Sequence, residues 1–239
     1  MDQTTTQAAL AGVREWFDSP AQSAHYATPA AGEVADWEVA VLNHLPVGRV
    51  LDVGAGQGRL SRWLADHGHQ VDATEVSVAM AVLADQLGTD QVAYHLLHDP
   101  LTLPFGKETF DGVVVSNTLC YLPGGELRIR FIRDQVARVL KPGGVAVLAN
   151  HVVPTGVNRQ AEIEIDQLYR PWRSRRSWVE PGDTHCGGGG YVHWFTRASL
   201  RAEIGAGQVF TVTADGLSPD GRHAWFVAGK TPTRGAGAQ

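Results

Sequence analysis

The sequence predicts an α/β protein, a doubly wound and mostly parallel sheet with helices on both faces. Short apolar runs alternate with stretches of helical periodicity between residues 49 and 149. Alternation of this kind builds crossover units around a parallel sheet. One run is continuous and β-branched, Val113-Val114-Val115, which suits a strand covered on both sides. The first run ends in Gly54-Ala55-Gly56-Gln57-Gly58 ahead of a helical stretch. Glycines there let the backbone turn tightly and let a ligand approach without Cβ clashes.

Each element has its own signal. Residues 8–17 and 33–45 have helical spacing; in the second, Val34, Trp37, Val41 and Leu45 recur at steps of three and four. Between them, residues 19–31 are rich in Ala, Pro and Ser and read as a loop. Residues 49–53 form the first strand, and Leu60, Trp63 and Leu64 mark the helix after it. The next apolar piece, residues 70–73, ends at Glu75, and Ser77 is placed to cap a helix reaching Leu87. Residues 91–97 and 110–116 read as strands. Residues 126–140 are amphipathic, Lys141-Pro142-Gly143-Gly144 stops that helix, and residues 145–149 form a buried strand.

Beyond Asn150 the regularity breaks. Residues 151–193 are polar and rich in Arg, Trp and Gly, the pattern of a functional lid or insertion. A helix over 196–204 and strands over 210–213 and 224–228 follow, the strands joined as a hairpin across Ser218-Pro219-Asp220-Gly221. The expected organisation is one domain over 1–239. It divides into an N-terminal helical cap (1–45), a cofactor-binding core (46–150), a substrate lid (151–193) and a C-terminal helix and hairpin (194–232).

Composition narrows the classes. The chain has 239 residues, 44% of them hydrophobic, and a formal net charge of −5. That is enough to bury a full core, and the charge argues against a nucleic-acid or anionic-membrane surface. Cys120 and Cys186 stand far apart with no zinc-type spacing, which points to a reducing, cytoplasmic setting. Nothing resembles a signal peptide or a membrane span.

Three motifs carry the chemistry. The glycine turn follows Val50-Leu51-Asp52-Val53, with GxGxG spacing and Arg59 where a dinucleotide fingerprint needs its last glycine. Glu75 ends the second strand, where a carboxylate can accept from both ribose hydroxyls of a nucleoside. Asp99 follows the third strand, where a carboxylate can accept from an adenine amine; an Asp before Pro also initiates turns.

In this order, the motifs resemble the class I S-adenosylmethionine-dependent methyltransferases of the small-molecule branch. Asp99 with Leu103-Pro104-Phe105, Phe110-Asp111, and Val139-Leu140-Lys141-Pro142-Gly143-Gly144 extend the match over residues 45–150. The likeness is looser from Trp194-Phe195-Thr196-Arg197 onward. The resemblance implies a Rossmann-like, seven-stranded sheet with an antiparallel last strand and S-adenosyl-L-methionine as cofactor, leaving as S-adenosyl-L-homocysteine. It places Gly54, Gly56 and Gly58 under the methionine and ribose, Asp52 at the methionine amino group, Glu75 at the ribose and Asp99 at adenine N6. Pro100 lacks the N–H that relatives give to adenine N1, which leaves either Leu101 as donor or an adenine seated differently. Asn117 falls at the methionine end, and Phe17-Asp18 and Tyr26 in the segment that folds over the cofactor, with plain packing as the alternative role of Tyr26.

On the acceptor side, His151 follows the fifth strand and is the best-placed base, with a structural hydrogen bond as its alternative role. Tyr121, Arg173, His185, Tyr191, His193 and Trp194 are the expected acceptor contacts. Arg170, Arg173, Arg175 and Arg176, interleaved with aromatics, read either as a solvated charged face or as a site for an anionic or aromatic acceptor. No metal is expected, because Gly187 to Gly190 cannot preorganise His185, Cys186 and His193. The leading expectation is methyl transfer to a small molecule, with specialised metabolism as the expected setting. The rivals are a lyase or cyclase using the same cofactor, a nicotinamide oxidoreductase and an RNA methyltransferase. A homodimer through the lid or the N-terminal helices stays open.

Overall fold

The computed structural model describes residues 1–87, 91–153, 178–185 and 190–231. Seven strands form one sheet: β1 (Arg49–Val53), β2 (Gln70–Glu75), β3 (Val92–Leu96), β4 (Phe110–Ser116), β5 (Leu140–His151), β8 (Phe210–Leu217) and β9 (His223–Lys230). Their order is β3-β2-β1-β4-β5-β9-β8. All neighbouring pairs from β3 to β5 are parallel. Strand β9 runs antiparallel to both β5 and β8, so it alone is reversed. Strand order turns back between β1 and β4, which opens the crevice where such sheets bind ligands. Among the described residues, no helix is long and apolar enough to cross a membrane.

The continuous apolar strands serve two cores at once, because successive side chains face opposite ways. Leu51, Val113, Val115, Leu148 and Phe226 join one cluster with Phe131, Ile132, Leu200 and Ile204. Val50, Val114, Val147 and Val227 join the other with Val41, Leu42, Leu60 and Leu64. The helices supplying these clusters are α4 (Asp36–Leu42) and α5 (Arg59–Asp66) on one face, α7 (Gly125–Phe131) and α9 (Arg197–Ala206) on the other. Helix α7 continues through a π-type turn over Ile132–Val136 into α8 (Ala137–Val139). Burying each such Leu, Ile, Val or Phe stabilises the fold by about 1.5–3 kcal/mol.

The N-terminal cap differs from expectation. Helix α1 covers Gln3–Phe17, and residues 19–31 are helical rather than a loop: α2 spans Pro20–Tyr26 and α3 Pro29–Gly32. Ser19 accepts from the Gln22 N–H and Pro20 occupies the first turn, a placement that suits proline's fixed φ and missing N–H. Thr28-Pro29 repeats the Thr/Ser-Pro start. Helix α6 (Val78–Leu87) starts as expected, with Ser77 Oγ accepting from Met80 N at 3.1 Å. Lys141-Pro142-Gly143-Gly144 does end the preceding helix, but inside β5, where the register against β4 shifts between Phe110 and Gly112. The described part of the expected lid is a hairpin, β6 (Asp183–His185) with β7 (Tyr191–His193).

Candidate active site

A cavity of about 450 Å³ opens where β1, β2, β3 and β4 end. Its floor is the glycine turn. Gly54, Gly56 and Gly58 have φ of 67°, 59° and 79°, left-handed values that disfavour side chains. Gly54 has a second reason: a Cβ there would lie 2.6 Å from Thr118 Oγ1, the hydroxyl that donates to the Val53 carbonyl at 2.7 Å. The space beside Gly56 is open, with no atom within 4 Å of a would-be Cβ. Gly54 and Gly56 line the cavity, whereas Gly58 stands behind them as the N-cap of α5.

Two acidic residues border this floor. Asp52 is 2% exposed and its carboxylate accepts from Ser61 Oγ at 2.6 Å. Burial pushes its pKa up to about 6, with Ser61 and Arg59 pulling the other way. Glu75 accepts from the N–H groups of Gly56 at 2.8 Å, Val76 at 2.6 Å and Ser77 at 2.9 Å. Burial raises its pKa too, opposed by those backbone donors. Glu75 therefore shapes the glycine turn as well as facing the cavity.

Asp99, Pro100 and Leu101 line the far end. There the Asp99 carboxylate is engaged in its own turn, accepting from Leu101 N at 3.0 Å and Thr102 Oγ1 at 2.7 Å. The Leu101 N–H expected to be free for adenine thus already has a partner. Asn117, at the end of β4, has φ of 51° and its Oδ1 accepts from His151 N at 3.1 Å. It lines the cavity together with Tyr26, Tyr121 and His151.

The roof comes from the N-terminal cap. Phe17 lies 6.1 Å from Tyr26 and 5.0 Å from Tyr121 between ring centroids. Asp18 Oδ1 accepts from Ser77 Oγ at 2.6 Å and Ala79 N at 3.1 Å, tying the cap to α6. Arg14 donates to the His98 carbonyl at 2.8 Å. Arg59 grips Glu38 of α4 with both terminal nitrogens, at 2.5 and 2.8 Å. Phe17 lines the cavity with Tyr26; Arg14, Arg59 and Thr118 also line it and escaped the sequence reading, as did Tyr94, whose hydroxyl donates to the Gly56 carbonyl. For Arg59, its place directly after the glycine turn was the available signal.

The expected acceptor contacts divide. Tyr121 lines the cavity; Tyr191, His193, His185 and Trp194 do not. Tyr191 and His193 are buried and both bond Asp183 Oδ1, at 2.5 and 2.7 Å. Beside them Arg128, 1% exposed, bonds Glu203 at 2.7 and 2.8 Å, Glu180 at 3.1 Å and the Tyr191 hydroxyl at 3.2 Å. These residues pin the β6–β7 hairpin onto α7 and α9 instead of facing the cavity. Glu180, Asp183 and His193 have metal-ligand atoms within 4.8 Å of one another, but the Arg128 guanidinium already supplies the positive charge there. His185 pairs with Tyr191 in the hairpin, and Trp194 packs on the His151 ring at 5.8 Å. Arg173, with Arg170, Arg175, Arg176 and Cys186, lies outside the described residues.

Comparison with known proteins agrees with this geometry. A family profile described as a methyltransferase domain matches residues 51–148. The malonyl-[acyl-carrier protein] O-methyltransferase of Salmonella typhimurium is 30% identical over 201 residues, 70% of this chain and 77% of that one. Over several other curated relatives the chain spans about half their length or less. An S-adenosylmethionine-dependent methyltransferase of Methanosarcina mazei superposes with a TM-score of 0.66 at 20% identity, covering 83% of this chain and 98% of that one. The [4+2]-cyclase SpnF superposes at 0.63 with 18% identity, covering 91% and 94%, so the fold alone spans different chemistries. The fold, the glycine turn with its two carboxylates and the Salmonella relative together establish that the chain belongs to the class I S-adenosylmethionine-dependent methyltransferases.

Proposed function

We propose that this protein transfers the methyl group of S-adenosylmethionine to an uncharged, largely aromatic or apolar small molecule through an oxygen atom. The observation that carries the acceptor class is the apolar part of the wall of the cavity that His151 and Asn117 also line. It is built from Phe17, Tyr26, Tyr121, Leu122 and Phe131, and both arginines that reach the cavity are engaged elsewhere. Among the described residues, the wall thus offers no free cation for an anionic acceptor.

The residues present fit the cofactor. The open space beside Gly56 admits a ligand against bare backbone, and Asp52 and Glu75 suit a ligand bearing an ammonium group and a vicinal diol. When bound, S-adenosylmethionine supplies an electrophilic methyl on a good leaving group. The chain's task is then to hold the acceptor in line with it and to receive the acceptor's proton. His151 is placed for the second task. Burial, and then His223, push its pKa down to about 4, so its ring is uncharged at neutral pH and able to take a proton. The O-methyltransferase name of the Salmonella relative supports an oxygen acceptor; a hydroxyl acceptor must lose its proton on attack, whereas a carboxylate such as that of a malonyl group need not. The net charge of −5 favours a small-molecule partner over nucleic acid.

The test is a methyl-transfer assay with labelled S-adenosylmethionine against matched panels of phenols, aliphatic alcohols and carboxylates. Turnover confined to hydroxylated aromatic or apolar compounds, lowered about 10²-fold or more in His151→Ala with unchanged S-adenosylhomocysteine affinity, is expected. Preference for carboxylates would overturn the acceptor class. Full turnover in His151→Ala would remove the base.

A further inference from the structure

His151 and His223 face each other as register partners on β5 and β9. Directly opposed residues on an antiparallel pair bring their side chains together on one face, and here the ring centroids are 4.3 Å apart at 42°. Each ring has an outer neighbour. Trp37 of α4 stacks on His223 at 5.3 Å, and Trp194 lies against His151 at 5.8 Å. The backbones are anchored as well: His151 N donates to Asn117 Oδ1, and His223 N to Ser218 Oγ at 2.9 Å. Only His151 lines the cavity, so His223 reaches the reaction through its partner or not at all.

We propose that His223 is a positioning residue for methyl transfer: wedged between Trp37 and His151, it orients the His151 imidazole and keeps that ring free of a proton until the acceptor delivers one. The proposal rests on the reading of His151 as base. With S-adenosylmethionine bound, the acceptor oxygen would take the methyl as its bond to sulfur breaks and S-adenosylhomocysteine leaves, and the acceptor's proton would move to a ring nitrogen of His151. As pH falls, a proton on His223 at this spacing opposes a second one on His151, which holds the His151 ring uncharged further into the acidic range. The other groups acting on the pair are distributed around it. Asp220, on the turn before β9, acts on both rings and favours their charged forms, as Glu38 of α4 does for His223. Arg59 of α5 and Arg222 beside β9 oppose the charge on His223. Burial lowers the pKa of both histidines.

The test follows the His151 Cε1–H resonance by NMR during a pH titration of the whole protein bound to S-adenosylhomocysteine, assigned with His151→Gln. His223→Gln keeps a polar side chain without a charge; His223→Phe keeps a ring between Trp37 and His151. The midpoint of His151 should rise by at least half a pH unit in both variants. The acidic limb of kcat/KM should move up by the same amount, with KM for S-adenosylmethionine unchanged. A purely packing role predicts no movement in His223→Phe, so an unchanged midpoint in either variant overturns the proposal. Wild-type methyl transfer by His151→Gln is the separate outcome that removes the base, and with it the catalytic meaning of His223, whatever the midpoints do.

Discussion

Replacing Asp52 by Asn should make the ligand-free protein more stable and the cofactor weaker, each with a defined pH dependence. Asp52 is buried beneath the glycine turn with Ser61 as its side-chain donor. Its pKa is pushed up to about 6 from 3.8, first of all by burial. A carboxyl whose folded pKa lies above its unfolded value holds its proton in the folded state between those limits. Folding therefore takes up a proton, and stability is lost as pH rises from about 4 through about 6. Two pKa units correspond to about 3 kcal/mol. Asn keeps the acceptor for Ser61 but never ionises. The variant should then gain up to about 3 kcal/mol over wild type at pH 8, roughly 6–12 °C in Tm, with the gain fading towards pH 4. Urea unfolding of both proteins at pH 4, 5, 6, 7 and 8 measures the difference directly. Calorimetric titration should show wild-type S-adenosylmethionine affinity tightening with pH up to about 6, and the variant weak and flat. A stability difference equal at pH 4 and pH 8 would refute the burial argument. Unchanged cofactor affinity in the variant would refute the placement of Asp52 at the cofactor's amino group.

The remaining predictions concern the frame of the site. Glu75→Ala removes the acceptor of three backbone N–H groups and should weaken S-adenosylhomocysteine binding at least 100-fold by calorimetry; affinity near wild type would separate Glu75 from the cofactor. Gly54→Ala should lower both Tm and cofactor affinity, because its Cβ meets Thr118 Oγ1 at a left-handed φ. Thr118→Ser in the same chain should recover part of the loss, since Thr118 Cγ2 lies 2.8 Å from that Cβ, and no recovery would exclude the Cγ2 contact as a cause and leave the Oγ1 contact and the left-handed φ. Arg128→Met leaves Glu203, Glu180 and the Tyr191 hydroxyl without their cation and should cost about 3–5 kcal/mol by urea unfolding. A loss under about 1 kcal/mol would mean that the network is not holding the hairpin.

How much of this was legible in the sequence depends on how far each residue's partners lie along the chain. The glycine turn and β4 were readable because their signals are local: glycines in sequence, and β-branched residues in a row. By composition residues 19–31 resemble a loop, but Ser19-Pro20 and Thr28-Pro29 each carry a local helix-start signal that outweighs it. Tyr191 and His193 failed for a different reason. Their residue types invite a binding role, but Arg128 lies 63 residues from Tyr191 and Glu203 lies 75 from Arg128, and no pattern within 151–193 announces them. His151 shows the same limit from the other side. Its position after β5 could be inferred from topology, yet how far its pKa falls depends first on burial and then on β9 bringing His223 against it. A strand arriving from the far end of the chain thus completes the surroundings of a residue that sequence could locate but not describe. This is why the reversed strand β9, which donates nothing to the cavity wall itself, belongs in any account of how the site works.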